Sequence, residues 1–277
     1  TSGSPIAGLI ITVLGGVPLF LFASVMTGQL SHLAMIPPMG YVGLSVAGVI
    51  HFLIGRYCVF KAYAEIGANR TAPVVQGTAL LSVLFALAFL GEEMTLLKAT
   101  GVALVLLGPA LAATPSRTQI SRGGAADDVE LPGRTIHGYG FAAFGTVMFG
   151  TSPILIRFAL EDSGGLGILG GLVSYAAAAA LLIPFALTSG QLRSTTRLDR
   201  TTQAWFAFGG FTIFLGHMFR FLALSVAPVS VVVPLLRSQT LFAVALGYLV
   251  NRQYESFHPK TIGGIAIALA GSVALVA

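Results

Sequence analysis

Apolar runs of membrane-spanning length alternate with short polar breaks along almost the whole chain. A helix that crosses a bilayer needs about 20 mainly apolar residues. The pattern predicts nine spans: Ile6–Thr27, Met39–Ala62, Arg70–Leu90, Thr95–Thr114, Tyr139–Leu160, Gly164–Thr188, Ala204–Val226, Pro228–Val250 and His258–Ala277. One break is longer. Residues 115–138, "PSRTQISRGGAADDVELPGRTIHG", are polar and glycine-rich, the composition of a flexible linker. It separates a first half, 1–114, with four spans, from a second, 139–277, with five. Pro18, Pro73, Pro109, Pro153, Pro184 and Pro234 fall inside spans, where neighbouring helices can satisfy the backbone groups that proline frees. Trp205, at the start of the seventh span, reads as a headgroup-level belt residue.

Composition supports the pattern. The chain of 277 residues is 55% hydrophobic and only 9% charged, against about 25% charged in soluble domains. So few charges could not wet the surface of a soluble fold this size, and lipid is the expected solvent. The single cysteine, Cys58, rules out an intrachain disulfide and reads as an inert core residue. Thr1–Pro5 carry no basic n-region, and the run from Ile6 is long enough to span, so no cleavable leader is expected.

The net charge of +5 reflects basic residues in loops and span ends, which points to membrane orientation rather than nucleic acid. One side holds Lys61, Arg70, Arg117, Arg122, Arg134, Arg193, Arg197, Arg200, Arg252 and Lys260; the other holds Lys98 and Arg157. The positive-inside rule puts the first side in the cytoplasm and the C-terminus outside it.

The halves echo one another. "TGQL" at Thr27–Leu30 returns as "SGQL" at Ser189–Leu192, and "FLIGRYCVFKAYA" from Phe52 returns as "FLGHMFRFLALS" from Phe214. Gln76 matches Gln239, Glu92 matches Glu255, Gly101 matches Gly264 and Gly108 matches Gly271, at a near-constant offset. Only the Tyr139–Leu160 span lacks a partner, which would begin ahead of Thr1. The expectation is a unit of five plus five helices with the first absent from this chain. An odd number of helices per repeat puts the repeats in opposite orientations, as inverted-repeat transporters have them.

The stretches "FLGEEMTLLKATGVALVLLG" (Phe89–Gly108), "LVNRQYESFHPKTIGGIAIALAG" (Leu249–Gly271), "APVSVVVPLLRSQTLF" and "FGTSPILIRFAL" resemble the drug/metabolite transporter superfamily, and within it the EamA-type ten-helix exporters. The chain departs from that pattern in lacking a first helix and in carrying Asn251–Arg252 where the family has Gly-Glu. The resemblance implies an all-α integral membrane fold, a ten-helix basket of inverted five-helix repeats with a central cavity. It implies export of small metabolites, often amino acids, from a bacterial inner membrane, and it implies cytoplasmic termini, against the charge rule.

All the Asp and Glu residues fall in loops or at span ends, whereas His51, Arg56, His217, Arg220 and Arg237 lie at depth. Arg237 stands about 14 Å into its span, close to the midplane. A buried arginine costs roughly 2.5–3.5 kcal/mol on insertion scales, so Arg237 is expected either to meet a carboxylate brought by the substrate or to cap carbonyls of a broken helix. Arg56 and Arg220 are shallow enough to snorkel or to join it. His51 and His217 read as helix-to-helix hydrogen-bonding groups or proton relays. Gln76 and Gln239 sit at matched positions beside Pro73 and Pro234, a pattern found at transport sites. Tyr57, Tyr63 and Tyr175 read as packing or pocket-lining aromatics. Gly101, Gly108, Gly264, Ala268 and Gly271 form a small-residue face for packing within the chain, with a homodimer as the alternative.

The candidate substrate-binding set is Arg237, Gln239, Gln76, His217, His51, Arg220 and Arg56. It fits a carrier of small metabolites bearing a carboxylate, amino acids first. Proton-coupled multidrug or cation efflux and a channel are the alternatives. No enzyme is expected, because no nucleophile–base pair or metal cluster lies at depth, and neither a cofactor nor a nucleic-acid partner is expected.

Overall fold

The computed structural model describes residues 5–112, 132–188, 200–239, 242 and 259–276, which hold helices and no strand. Helix α1 covers Pro5–Met26. A 3-10 turn, Gln29–Met35, leads to α2, Pro38–Gly48, which continues through a π-helical stretch, Val49–Gly55, into α3, Arg56–Gln76. Then come α4 (Thr78–Phe89), α5 (Leu96–Ala112), α6 (Pro132–Leu160), α7 (Gly167–Thr188), α8 (Arg200–Val226), α9 (Val229–Arg237) and α10 (Pro259–Val276).

Among the described residues six stretches are long and apolar enough to cross a membrane: Leu9–Met26, Pro38–Gly67, Arg70–Phe89, Thr135–Leu160, Gly167–Thr188 and Ala207–Val226. Leu96–Gly108 and Ala266–Leu275 are shorter apolar helices. The span predicted over Pro228–Val250 is seen in its first part, as α9. Most of the predicted linker, the second "GQL" copy, the Asn251–Arg252 pair, Glu255 and the side chain of Trp205 lie outside the described residues.

Two boundaries differ most from the sequence pattern. The second span passes Ala62 and breaks at Gly67, whose φ of 77° and ψ of 167° suit glycine and strain other residues. Helix α6 starts at Pro132, ahead of the expected Tyr139; proline is well suited to a helix's first turn, where its missing N–H has no intrahelical acceptor.

The surface is that of a protein in lipid. Phe22, Leu84, Phe89, Phe158 and Phe219 are exposed, while the interior combines apolar packing with short polar ties. Helix α1 packs on α7 and α8, α2 on α6 and α7, α3 on α6, and α9 on α4 and α5. Tyr175 of α7 is fully buried, its ring centroid 4.2 Å from that of Phe52 and 4.9 Å from that of Phe20. Tyr57 and Tyr63 instead face outward, and Cys58 is buried. Ser174 donates to the Leu44 carbonyl at 2.8 Å, Ser82 to that of Gly150 at 3.0 Å and Thr146 to that of Val74 at 3.2 Å. Such hydroxyls join helices where no water competes.

Helices α5 and α10 make the closest backbone approach along the small-residue face. A Cβ on Gly108 would lie 2.6 Å from the Gly264 carbonyl, and one on Gly101 would lie 3.0 Å from that of Gly271. The two helices therefore run antiparallel, and these glycines pack within the chain.

Side chains also cap helices across the fold. The carboxylate of Glu92, in the loop after α4, accepts the N–H of Val229 at 2.7 Å and of Ser230 at 2.9 Å. A helix N-terminus carries unpaired N–H groups and partial positive charge, so an anion there is stabilising. This fixes the start of α9. Gln29 accepts the Leu169 N–H at 3.0 Å, doing the same near the start of α7.

Candidate functional site

A cavity of about 560 Å³ lies among α3, α4, α6, α8, α9 and the π-helical stretch, within the range typical of small-molecule sites. Its wall includes His51, Arg56, His217, Arg220, Arg237 and Gln239, with Thr78, Phe149, Pro153, Thr212 and Gly216 between them. Six of the seven sequence-selected residues thus meet around one space. Gln76, at the C-terminal end of α3, is exposed and lies outside the cavity lining.

Local chain geometry explains how these groups arrive together. The wider turn of the π-helix holds His51 and Phe52; such turns recur at functional sites because they break the regular spacing of side chains. Gly48 and Gly55 bracket it and sit close to the Ser174 backbone and to the Phe149 ring. Helix α8 is unbroken and presents His217 and Arg220 on neighbouring turns. Helix α9 is short, starts after Pro228, contains Pro234 and ends at Arg237, which places that arginine and Gln239 where regular helix gives way.

The polar groups form a chain. Arg56 donates to Thr12 Oγ1 at 2.8 Å and to His217 Nε2 at 3.3 Å, and its guanidinium stands 5.7 Å from the Phe52 ring centroid. The rings of His217 and His51 are 5.5 Å apart between centroids. Arg220, only 8% exposed, donates to His51 Nε2 at 3.0 Å and to Ser152 Oγ at 3.2 Å. A guanidinium can only donate, so the imidazole nitrogen facing each arginine must present its lone pair. For His51 the second ring nitrogen, Nδ1, also lies 3.3 Å from the same guanidinium nitrogen, so that arginine faces the whole N–C–N edge of the ring.

Arg237 differs. It makes no hydrogen bond or ion pair with any described residue, and it lines the cavity. Among the described residues no Asp or Glu lines the cavity; the ion pairs Lys61–Glu65 and Arg157–Glu161 lie elsewhere. The Tyr175 hydroxyl, behind His217, is buried and unpartnered among the described residues. Sequence reasoning overlooked Thr12 and Ser152, the hydroxyls that hold the two arginines. Hydroxyl residues opposite buried arginines are the signal that would have found them.

The EamA-like transporter family matches residues 2–114 and 136–277, two segments flanking the polar stretch. The chain belongs to the EamA-like transporter family. It is a multi-pass membrane protein of a family of transporters, not of enzymes. No curated protein matches it. Solved structures similar to this EamA-like chain include a crystal structure at 16% identity with a TM-score of 0.68, covering 99% of this chain and 87% of that one. At that identity the likeness concerns the fold alone.

Proposed function

We propose that this EamA-like chain is a carrier for small metabolites bearing a carboxylate, amino acids and related compounds, across a bacterial inner membrane. The observation that carries this reading is the cavity itself. Three arginines reach it without an acidic partner among the described residues, and there Arg237 makes no hydrogen bond or ion pair. A permanent cation in a low-dielectric interior needs an anion, carbonyls or water, and a substrate carboxylate matches its fork of donors bidentately. His51, His217 and Gln239 offer hydrogen bonds around that anion, and Arg56 and Arg220 hold the imidazoles in place.

Transport would follow alternating access between two inverted repeats, residues 1–114 and 139–277, of a ten-helix unit. Several features support the inversion. Helices α1 and α7 have the same length of 22 residues, and both ends are displaced by one constant offset. Gly101 meets Gly271 while Gly108 meets Gly264. That is the exchanged, antiparallel pairing expected of equivalent helices about a two-fold axis. Arg56 and His217, 161 positions apart, are matched positions that touch, as residues near such an axis do. Caps such as Glu92 and Gln29 would then hold one side shut in this state.

Counterflow into liposomes containing the purified chain tests the reading, with amino acids, organic acids and cationic dyes as test compounds. We expect carboxylate-bearing compounds to show saturable counterflow. Movement of dyes alone would favour cation efflux, and non-saturable flux would favour a channel.

A further inference from the structure

The cavity's charge balance says more about the substrate than the presence of one arginine does. Resting on the carrier reading above and narrowing its class of carboxylate-bearing compounds, we propose that the preferred ligand is a small dianion without a free ammonium group, a dicarboxylate or a phosphate monoester, ahead of the zwitterionic amino acids that the broader reading includes.

The charged groups facing the cavity can be followed element by element. The π-helical stretch and α3 contribute His51 and Arg56, α8 contributes His217 and Arg220, and α9 ends in Arg237. The lining from α4 and α6, Thr78, Phe149 and Pro153, is uncharged. Among the described residues, no element supplies a carboxylate to the cavity. A ligand with a single carboxylate satisfies one guanidinium and leaves the site strongly cationic. A zwitterion is worse matched, because its ammonium would lie among three guanidinium groups with no anion to receive it.

The arginines also occupy two kinds of position. Arg56 and Arg220 are each fixed by two hydrogen-bonding partners, Thr12 and His217 for the first, His51 and Ser152 for the second. The guanidinium has more N–H donors than those bonds use, so both retain capacity while being held still. Arg237 is unattached among the described residues and lies beside Gln239 at the end of α9. A fixed cationic chain on one side and a free cation on another suit a ligand with two anionic centres, or a phosphate whose several oxygens reach both. Preorganised donors lower the ordering cost of binding, and an arginine with no described hydrogen bond keeps its donors for the ligand's second charge.

The test is calorimetric titration of the purified full chain at fixed ionic strength with succinate, glycerol 3-phosphate, propionate and alanine. At least one dianion is expected to bind 10-fold or more tighter than propionate and alanine. Succinate alone passing identifies the dicarboxylate source, and glycerol 3-phosphate alone identifies the phosphate source. In R237Q, whose side chain ties down no described residue, the ratio of dianion to propionate affinity is expected to fall at least 5-fold. R56Q should lower the same ratio, and a ratio is unaffected by a general loss of folded protein. Alanine or propionate binding as tightly as both dianions overturns the narrowing while leaving the carboxylate-carrier reading in place. If no anion binds and cationic dyes do, both readings fail together.

Discussion

Gly48→Ala is expected to lower the stability of the protein by about 3 kcal/mol, seen as a fall of about 6 to 12 °C in the unfolding midpoint in detergent. Gly48 ends α2 where it crosses α7. A Cβ there would strike the Ser174 carbonyl oxygen and lie 2.7 Å from its carbon and 2.8 Å from the Ser174 Cα. These are backbone atoms, which cannot swing aside as a side chain can. The same crossing holds the Ser174 bond to Leu44, and the next residues are the π-helical stretch with His51, so transport should fall as well. Gly15→Ala is the control. A Cβ at Gly15 meets nothing within 4 Å, so that variant should be neutral or gain up to about 1 kcal/mol from helix propensity. Equal midpoints for the two variants would contradict the close crossing.

Arg220→Ala should damage both fold and transport. Removing the side chain strands the buried Ser152 hydroxyl and leaves the half-buried His51 nitrogen without its donor. A buried polar group without a partner costs about 1–3 kcal/mol, so a loss of about 2 to 4 kcal/mol is expected. The tie among α6, α8 and the π-helical stretch is lost with it. If half of that loss falls on the geometry of the bound state, transport drops by about 5- to 30-fold. Arg220→Lys should recover part of the stability and little of the transport, since an ammonium is a point charge without the planar fork that reaches both partners. Unfolding midpoints and initial counterflow rates, measured on both variants, check this. An Arg220→Ala protein as stable as wild type would remove Arg220 from the polar chain described here.

Much of this was legible in the sequence because a bilayer enforces a simple grammar. Apolar length gave the spans, and the scarcity of depth charges singled out His51, Arg56, His217, Arg220 and Arg237, which do face one cavity. What length and hydropathy carry poorly is rotation about a helix axis. Gln76 and Gln239 looked equivalent from their offset, yet only Gln239 lines the cavity, because α3 breaks at Gly67 and a new helix follows Gln76. The small-residue faces were visible by spacing, but their antiparallel exchange needs both helices in view.

The "TGQL" motif entered the reading as a repeat marker. Its chemistry is local: Thr27 bonds the Ala23 carbonyl, Gly28 takes a φ of 70°, and Gln29 caps α7. The Glu92 clamp on α9 was equally hidden, since a loop carboxylate gives no sign of which helix start it will meet. The wider turn around His51 has no hydrophobic signature of its own, because a π-helix differs from an α-helix by less than one residue per turn.

The central claim is that Arg237 offers its charge to a substrate anion. The most direct measurement is counterflow of a carboxylate-bearing substrate into liposomes, comparing wild type with Arg237→Ala and Arg237→Lys at equal amounts of folded protein. A charge-assisted contact of this kind is worth about 1.5–3 kcal/mol. The account therefore predicts that Arg237→Ala transports about 10- to 100-fold more slowly with an unchanged unfolding midpoint, and that Arg237→Lys recovers part of the rate. A folded Arg237→Ala that transports at the wild-type rate would contradict it.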